Sequence, residues 1–112
     1  MAEAFTFPPV DAPLLEEVVR RTRRVGSPER IVLFGSHARG NKRPDSDLDL
    51  LIVQDSDLPR YRRAPRYLRA LVGVFPAKDV VVWTPAEIAA WAGARNAFIT
   101  AVLREGRVLH ER

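Results

Sequence analysis

The residues of this sequence most able to do chemistry lie in one stretch, GSHARGNKRPDSDLDLLIV, residues 35–53. Gly35 and Gly40 bracket its first turn, and Asp45, Asp47 and Asp49 stand directly before and inside an apolar run. Charge inside such a run is costly unless it is used. Strand residues two apart point to the same face, so Asp47 and Asp49 project together while Leu48, Leu50 and Ile52 face the other side, toward the core. Two adjacent carboxylates repel and raise each other's pKa. A divalent cation turns that conflict into a site, because Mg²⁺ binds through one or two carboxylates plus the phosphate oxygens of a substrate. Two ions sharing such carboxylates can hold both the attacking and the leaving oxygen of a displacement.

Asp79 is the third candidate carboxylate, since it too stands near the start of a strand just before an apolar run. It shares the cleft of Asp47 and Asp49 if the two strands are neighbours. Upstream, Ser36 offers a hydroxyl and a backbone N–H at the start of a helical turn, an arrangement that suits anions. Arg39 can hold a phosphate oxygen with its guanidinium fork, and Gly40 permits close approach of backbone to ligand.

Other motifs fail on inspection. A calcium loop begun at Asp45 needs Gly at its sixth position and Glu at its twelfth, where Leu50 and Ser56 stand. A phosphate-binding P-loop fails because Asn41 follows Gly40 and no Ser or Thr follows Lys42. No G-x-G-x-x-G occurs. Asp45 reads as a turn residue after Pro44, and His37 as an exposed loop residue. Lys42 and Arg43 read equally as steering charges or as a solvated loop. RRTRR reads as a solvated helix end, because no aromatic side chains interleave it. RYRRAPRYLRA, with Tyr61 and Tyr67, reads as helix surface or protein interface, and Trp83 and Trp91 as core or partner-contact aromatics.

The elements that must position these residues follow from periodicity and punctuation. Asp11 caps a predicted helix over 12–24, with Leu14, Leu15, Val18 and Val19 at helical spacing and arginines toward its C-terminal end. RIVLFG, DLDLLIV and KDVVVWT are predicted strands. A helix is predicted over 58–74, its first half weakened by Pro59 and Pro65. Thr84, Pro85 and Glu87 form a helix-start signature. The helix they open is predicted to run to Gly106 and to bury Ile88, Trp91, Ala92, Phe98, Ile99, Val102 and Leu103. RVLHE is a last short strand. The order α-β-β-α-β-α-β gives an α/β (α+β) fold, a small mixed sheet flanked by helices.

Length and composition bound the rest. With 112 residues, 46% of them hydrophobic, one domain spanning 1–112 is expected, residues 1–10 being an extended lead-in. The absence of cysteine excludes disulfides and thiolate metal sites. The acidic, proline-broken N-terminus is no signal peptide, and no apolar run reaches the ~20 residues of a membrane span. A soluble, cytoplasmic protein is therefore expected. Net charge is +4, and the 18 basic residues include only Lys42 and Lys78 as lysines. Arginine dominance suits phosphate or carboxylate recognition, but a GC-rich or heat-adapted source is the better account of the overall bias.

Gly35-Ser36, ten intervening residues, Asp47-Leu48-Asp49 and a later Asp79 together resemble the nucleotidyltransferases of the DNA polymerase beta superfamily. The short chain and GSHARG…SDLDLLIV resemble the minimal nucleotidyltransferases of prokaryotes in particular. The resemblance runs from the first helix to the final LREGRVLHER. It implies that Asp47, Asp49 and Asp79 are catalytic and bind metal, with Asp79 as ligand or base to the attacking hydroxyl. It implies that Gly35, Ser36, Arg39 and Gly40 bind the nucleotide phosphates and that Mg²⁺, as two ions, or Mn²⁺ is the cofactor. It further implies transfer of AMP from ATP to an acceptor hydroxyl, in a hetero-oligomer with a HEPN-domain protein in which the chain is the antitoxin. Two alternatives stand beside this: a non-catalytic HEPN-binding assembly subunit, and nucleotidylation of a small molecule of aminoglycoside type. Neither membrane nor nucleic acid is expected as a partner.

Overall fold

The computed structural model describes residues 9–40, 43, 45–92 and 97–112. Among the described residues, four strands form one sheet in the order β3-β2-β1-β4. β1 (Arg30–Phe34) lies antiparallel to both β2 (Leu48–Val53) and β4 (Arg107–Glu111), whereas β2 and β3 (Lys78–Trp83) are parallel. The predicted mixed sheet is therefore present, and its one parallel pair joins the two acid-bearing strands.

α1 (Ala12–Val25) starts at Asp11, whose carboxylate accepts from the Leu14 N–H at 3.1 Å, and ends with Arg23 and Arg24. Its Leu15 and Val18 meet Ile31, Leu33, Leu48, Leu50 and Ile52 on one face of the sheet, with Tyr67 and Leu71 of the β2–β3 crossover. The sequence placed Leu48, Leu50 and Ile52 on this core face. The opposite face carries a second core, in which Val32, Leu51, Val53 and Trp83 pack against Ile99 and Val102. β2 is thus buried on both sides, as expected of a strand with a near-continuous apolar run, and Asp49 is its only residue not fully buried.

Three expectations need correction. The 58–74 helix is broken into a 3₁₀ turn, Arg60–Arg62, and α3 (Pro65–Ala70); α2 is the short helix Ser36–Arg39 between β1 and β2. Pro59 precedes the 3₁₀ turn and Pro65 opens α3, positions that tolerate a residue without an N–H. The 84–106 helix is described as α4 (Pro85–Ala92) and α5 (Ala97–Glu105), with residues 93–96 and the side chain of Ala92 outside the described set. Ile99 and Val102 are buried as expected and Ile88 half-buried, but Trp91, Phe98 and Leu103 are about 40% exposed, at 42%, 40% and 39%. A short helix resting on a flat sheet buries a stripe at i, i+3 spacing, and residues off that stripe stay in water. Among the described residues, no helix is long and apolar enough to cross a membrane.

RYRRAPRYLRA is the third correction. Tyr61 is on the surface, but Tyr67 is fully buried and Arg63 is only 8% exposed. Arg63 donates to the Leu58 and Val82 carbonyls at 2.8 and 3.3 Å and to the Glu87 carboxylate at 2.6 Å. Glu87 also completes the predicted capping box: it accepts from the Thr84 N–H at 2.8 Å while its own N–H donates to the Thr84 hydroxyl at 3.1 Å. One carboxylate therefore fixes the start of α4, the end of β3 and the crossover loop together. Burial pushes the Glu87 carboxyl up, but the Thr84 amide and the Arg63 and Arg60 guanidiniums outweigh it and hold it at about 2.

Because that value lies below the ordinary 4.5, the stability it contributes is complete above pH 4.5 and is lost as pH falls toward 2. Glu87→Gln keeps an acceptor but removes the charge beside Arg63. It is expected to cost about 1.5–3 kcal/mol, the worth of a hydrogen bond to a charged group. Urea unfolding should show that deficit at pH 7 and its disappearance near pH 2.

Candidate active site

The site begins where β1 ends. Gly35 has φ 75° and ψ −154°, a conformation essentially confined to glycine, and it releases the chain from the sheet into α2. The Ala38 and Arg39 N–H groups close on the Gly35 carbonyl at 3.2 and 3.1 Å. Gly40, in the left-handed conformation with φ 81°, ends α2 by donating to the Ser36 carbonyl. Among the described residues, leaving out its chain neighbours and the α2 backbone, no atom lies within 4 Å of where a Cβ on Gly40 would stand, and its left-handed conformation by itself favours glycine.

Asp49 is held from two sides. It pairs with Phe34 across the antiparallel β1–β2 ladder and with Asp79 across the parallel β2–β3 ladder. In-register partners in neighbouring strands share a face, so Asp49 and Asp79 stand side by side, as the sequence required of them. A Cβ on Gly35 would fall 2.1 Å from the Asp49 Oδ2. The missing side chain at 35 is the space this carboxylate occupies.

Asp47 lies exposed just before β2, and Asp79 is exposed as the second residue of β3. The Asp49 carboxyl is pushed above its ordinary value, first by burial, then by the negative charges of Asp79 and Asp47, with His37 and Arg39 opposing the shift. Asp79 and Asp47 therefore both act electrostatically on Asp49, and the Arg39 guanidinium that opposes them comes from α2.

The expected metal set is not closed. Among the described residues, no group of three or more Asp, Glu, His or Cys side chains is placed to hold a metal ion. The donor chemistry still fits one: two in-register carboxylates with a third nearby, one of them half-buried and repelled by both others, form a site whose strain a hard cation relieves.

Of the expected phosphate residues, Gly35 and Arg39 line a pocket of about 230 Å³ with Phe34, Phe98, Val102 and Glu105, while Ser36 and Gly40 do not line it. Phe34 and Phe98 meet edge to face at 5.6 Å. The α5 wall of this pocket was not visible in the sequence, where Phe98 read as core. Asp45 is a turn residue, as expected, paired with Arg43 at the surface. His37 is a correction: it is buried, not exposed, and its Nε2 donates to the Ser46 carbonyl at 2.8 Å. A larger cavity, about 500 Å³, lies away from the acids, between α1 and β4.

Residues 14–104 match the nucleotidyltransferase domain family, and the chain belongs to it. Its fold is similar to a crystal structure of a toxin-antitoxin with AMP-PNP, at TM-score 0.66 and 18% identity, over 88% of this chain and 73% of that one. It is similar also to a Sulfolobus solfataricus protein assigned as a nucleotidyltransferase, at TM-score 0.62 and 22% identity, over 89% of this chain and 79% of that one. No curated protein matches the chain.

Proposed function

We propose that this nucleotidyltransferase moves AMP from ATP to an acceptor hydroxyl on a HEPN-domain partner, acting as the antitoxin of a toxin–antitoxin pair. The observation that carries the reading is the Asp49–Asp79 register beside Gly35, which leaves room for a carboxylate where any other residue would place a side chain. The toxin-antitoxin with AMP-PNP of similar fold supports the choice of nucleotide and of setting.

The acceptor oxygen attacks the α-phosphorus in line, the bond to the bridging oxygen of the β-phosphate breaks, and pyrophosphate leaves. Catalysis is then positioning and charge stabilisation. Arg39 and the Ser36 hydroxyl and N–H bind the triphosphate, Gly35 leaves the space that brings Asp49 to it, and Asp79 stands to orient the acceptor or take its proton. A divalent cation, Mg²⁺ or Mn²⁺, held by Asp47, Asp49 and Asp79, would neutralise the triphosphate charge. The whole chain acts as one catalytic domain.

A second reading is favoured by the exposed Trp91, Phe98 and Leu103: an assembly subunit that neutralises its partner by contact alone. The two separate in one experiment with α-labelled ATP, Mg²⁺ and a HEPN-domain protein. Label transfer to the partner that is lost in Asp47→Asn is the expected result. Neutralisation that persists in Asp47→Asn, with no label transferred by the wild type, overturns the enzyme reading and leaves the assembly subunit.

A further inference from the structure

His37 lies in the middle of α2 and is only 8% exposed, yet one of its ring nitrogens has no use in packing. Nε2 donates to the Ser46 carbonyl at 2.8 Å, while Nδ1 is buried with no hydrogen-bond partner among the described residues. A side chain kept only to fill this space would not leave a polar atom unsatisfied, so the bond at Nε2 is what accounts for an imidazole here. That bond crosses from the helix carrying Ser36 and Arg39 to the residue immediately before Asp47.

Ser46 is held in turn by its N–H to the Arg43 carbonyl at 3.0 Å, and Leu48, just after Asp47, donates to the Ala77 carbonyl at 2.8 Å. Asp47 is exposed, and these two anchors hold the residues on either side of it. The β3 anchor ties it to the strand of Asp79. The His37 anchor ties it to the phosphate-side turn.

We propose that His37 is a positioning residue that locks the Asp47 segment to α2 through the Ser46 carbonyl, fixing the first acid relative to the nucleotide phosphates. The catalytic half of this inference rests on the reading of Asp47 given above; the structural half does not.

The test compares His37→Leu, which fills the site without a donor, with His37→Gln, whose amide nitrogen reaches about as far as Nε2. Amide hydrogen exchange is followed across 46–48 in the whole chain, together with the unfolding midpoint and pyrophosphate release from MgATP in the presence of the HEPN-domain acceptor. His37→Leu is expected to speed local exchange by about tenfold or more without a matching loss of global stability. It should lower kcat by about 10- to 100-fold, the scale on which a misplacement of ~1 Å acts, with KM for ATP little changed. His37→Gln is expected to restore both. Unchanged exchange in His37→Leu overturns the tether whatever the activity does. Lost protection with unchanged kcat overturns the positioning role. A wild type that releases no pyrophosphate counts against the nucleotidyl-transfer reading, while the exchange comparison still decides the tether.

Discussion

Asp49→Asn is expected to abolish nucleotidyl transfer and to make the protein no less stable. The two effects have one cause. Asp49 is half-buried, opposite Asp79 in register and close to Asp47, and its carboxyl is pushed up by burial and by both neighbouring charges. In the free protein its negative charge is therefore a burden, and an asparagine of the same shape removes it. The unfolding free energy should stay level or rise by about 0.5–2 kcal/mol, as when a strained functional group is neutralised. The charge is also what the site offers to the reaction, so the rate should fall on the order of 10³-fold or more, the scale for removing a principal electrostatic contributor. Steady-state transfer and urea unfolding on the same preparation check both halves. A variant that loses stability would show instead that the carboxylate is a structural bond, with its partner yet to be found.

Much of this site was legible because strand chemistry is local. The period of two put Asp47 and Asp49 on one face, and an apolar run starting at the same offset put Asp79 at the mouth of the next strand; the parallel register then matched the two acids residue for residue. The end of β1 at Gly35 and the Thr84–Glu87 cap were legible for the same reason, since each acts on its own neighbours. What stayed hidden depends on contacts between segments distant in sequence. Nothing in RYRRAPRYLRA tells Arg63 from Arg62, yet Arg63 is enclosed by three elements because the Val82 carbonyl and Glu87 happen to meet it there. His37 read as a loop residue because its partner, the Ser46 carbonyl, carries no side-chain signal. Trp91, Phe98 and Leu103 fit an apolar helix pattern as well as Ile99 and Val102 do. Only the position of the sheet decides which of them is covered.

Gly35→Ala tests the close approach on which the site depends, and it should damage the protein in two separable ways. At φ 75° and ψ −154° an alanine backbone is strained, at about 1–3 kcal/mol. Its Cβ would also stand 2.1 Å from the Asp49 Oδ2 and 3.0 Å from the Asp49 Cγ, so something has to move. β2 is buried on both faces and cannot; the carboxylate can, by swinging away from the turn. The stability loss should be about 2–4 kcal/mol, and transfer should fall by about 10²-fold or more, since a displaced reacting group costs that much for ~1 Å. Gly40→Ala is the matched control for stability: its φ is 81°, but among the described residues beyond its chain neighbours nothing lies within 4 Å of its Cβ, so it should lose only about 1–2 kcal/mol. The two causes separate in a double-mutant cycle with Asp49→Ala. If the clash is real, Gly35→Ala costs less stability once the carboxylate is gone, and what remains is the backbone strain alone. A cost that does not change would place the whole penalty in the backbone and remove the reason for thinking that Gly35 exists to admit Asp49.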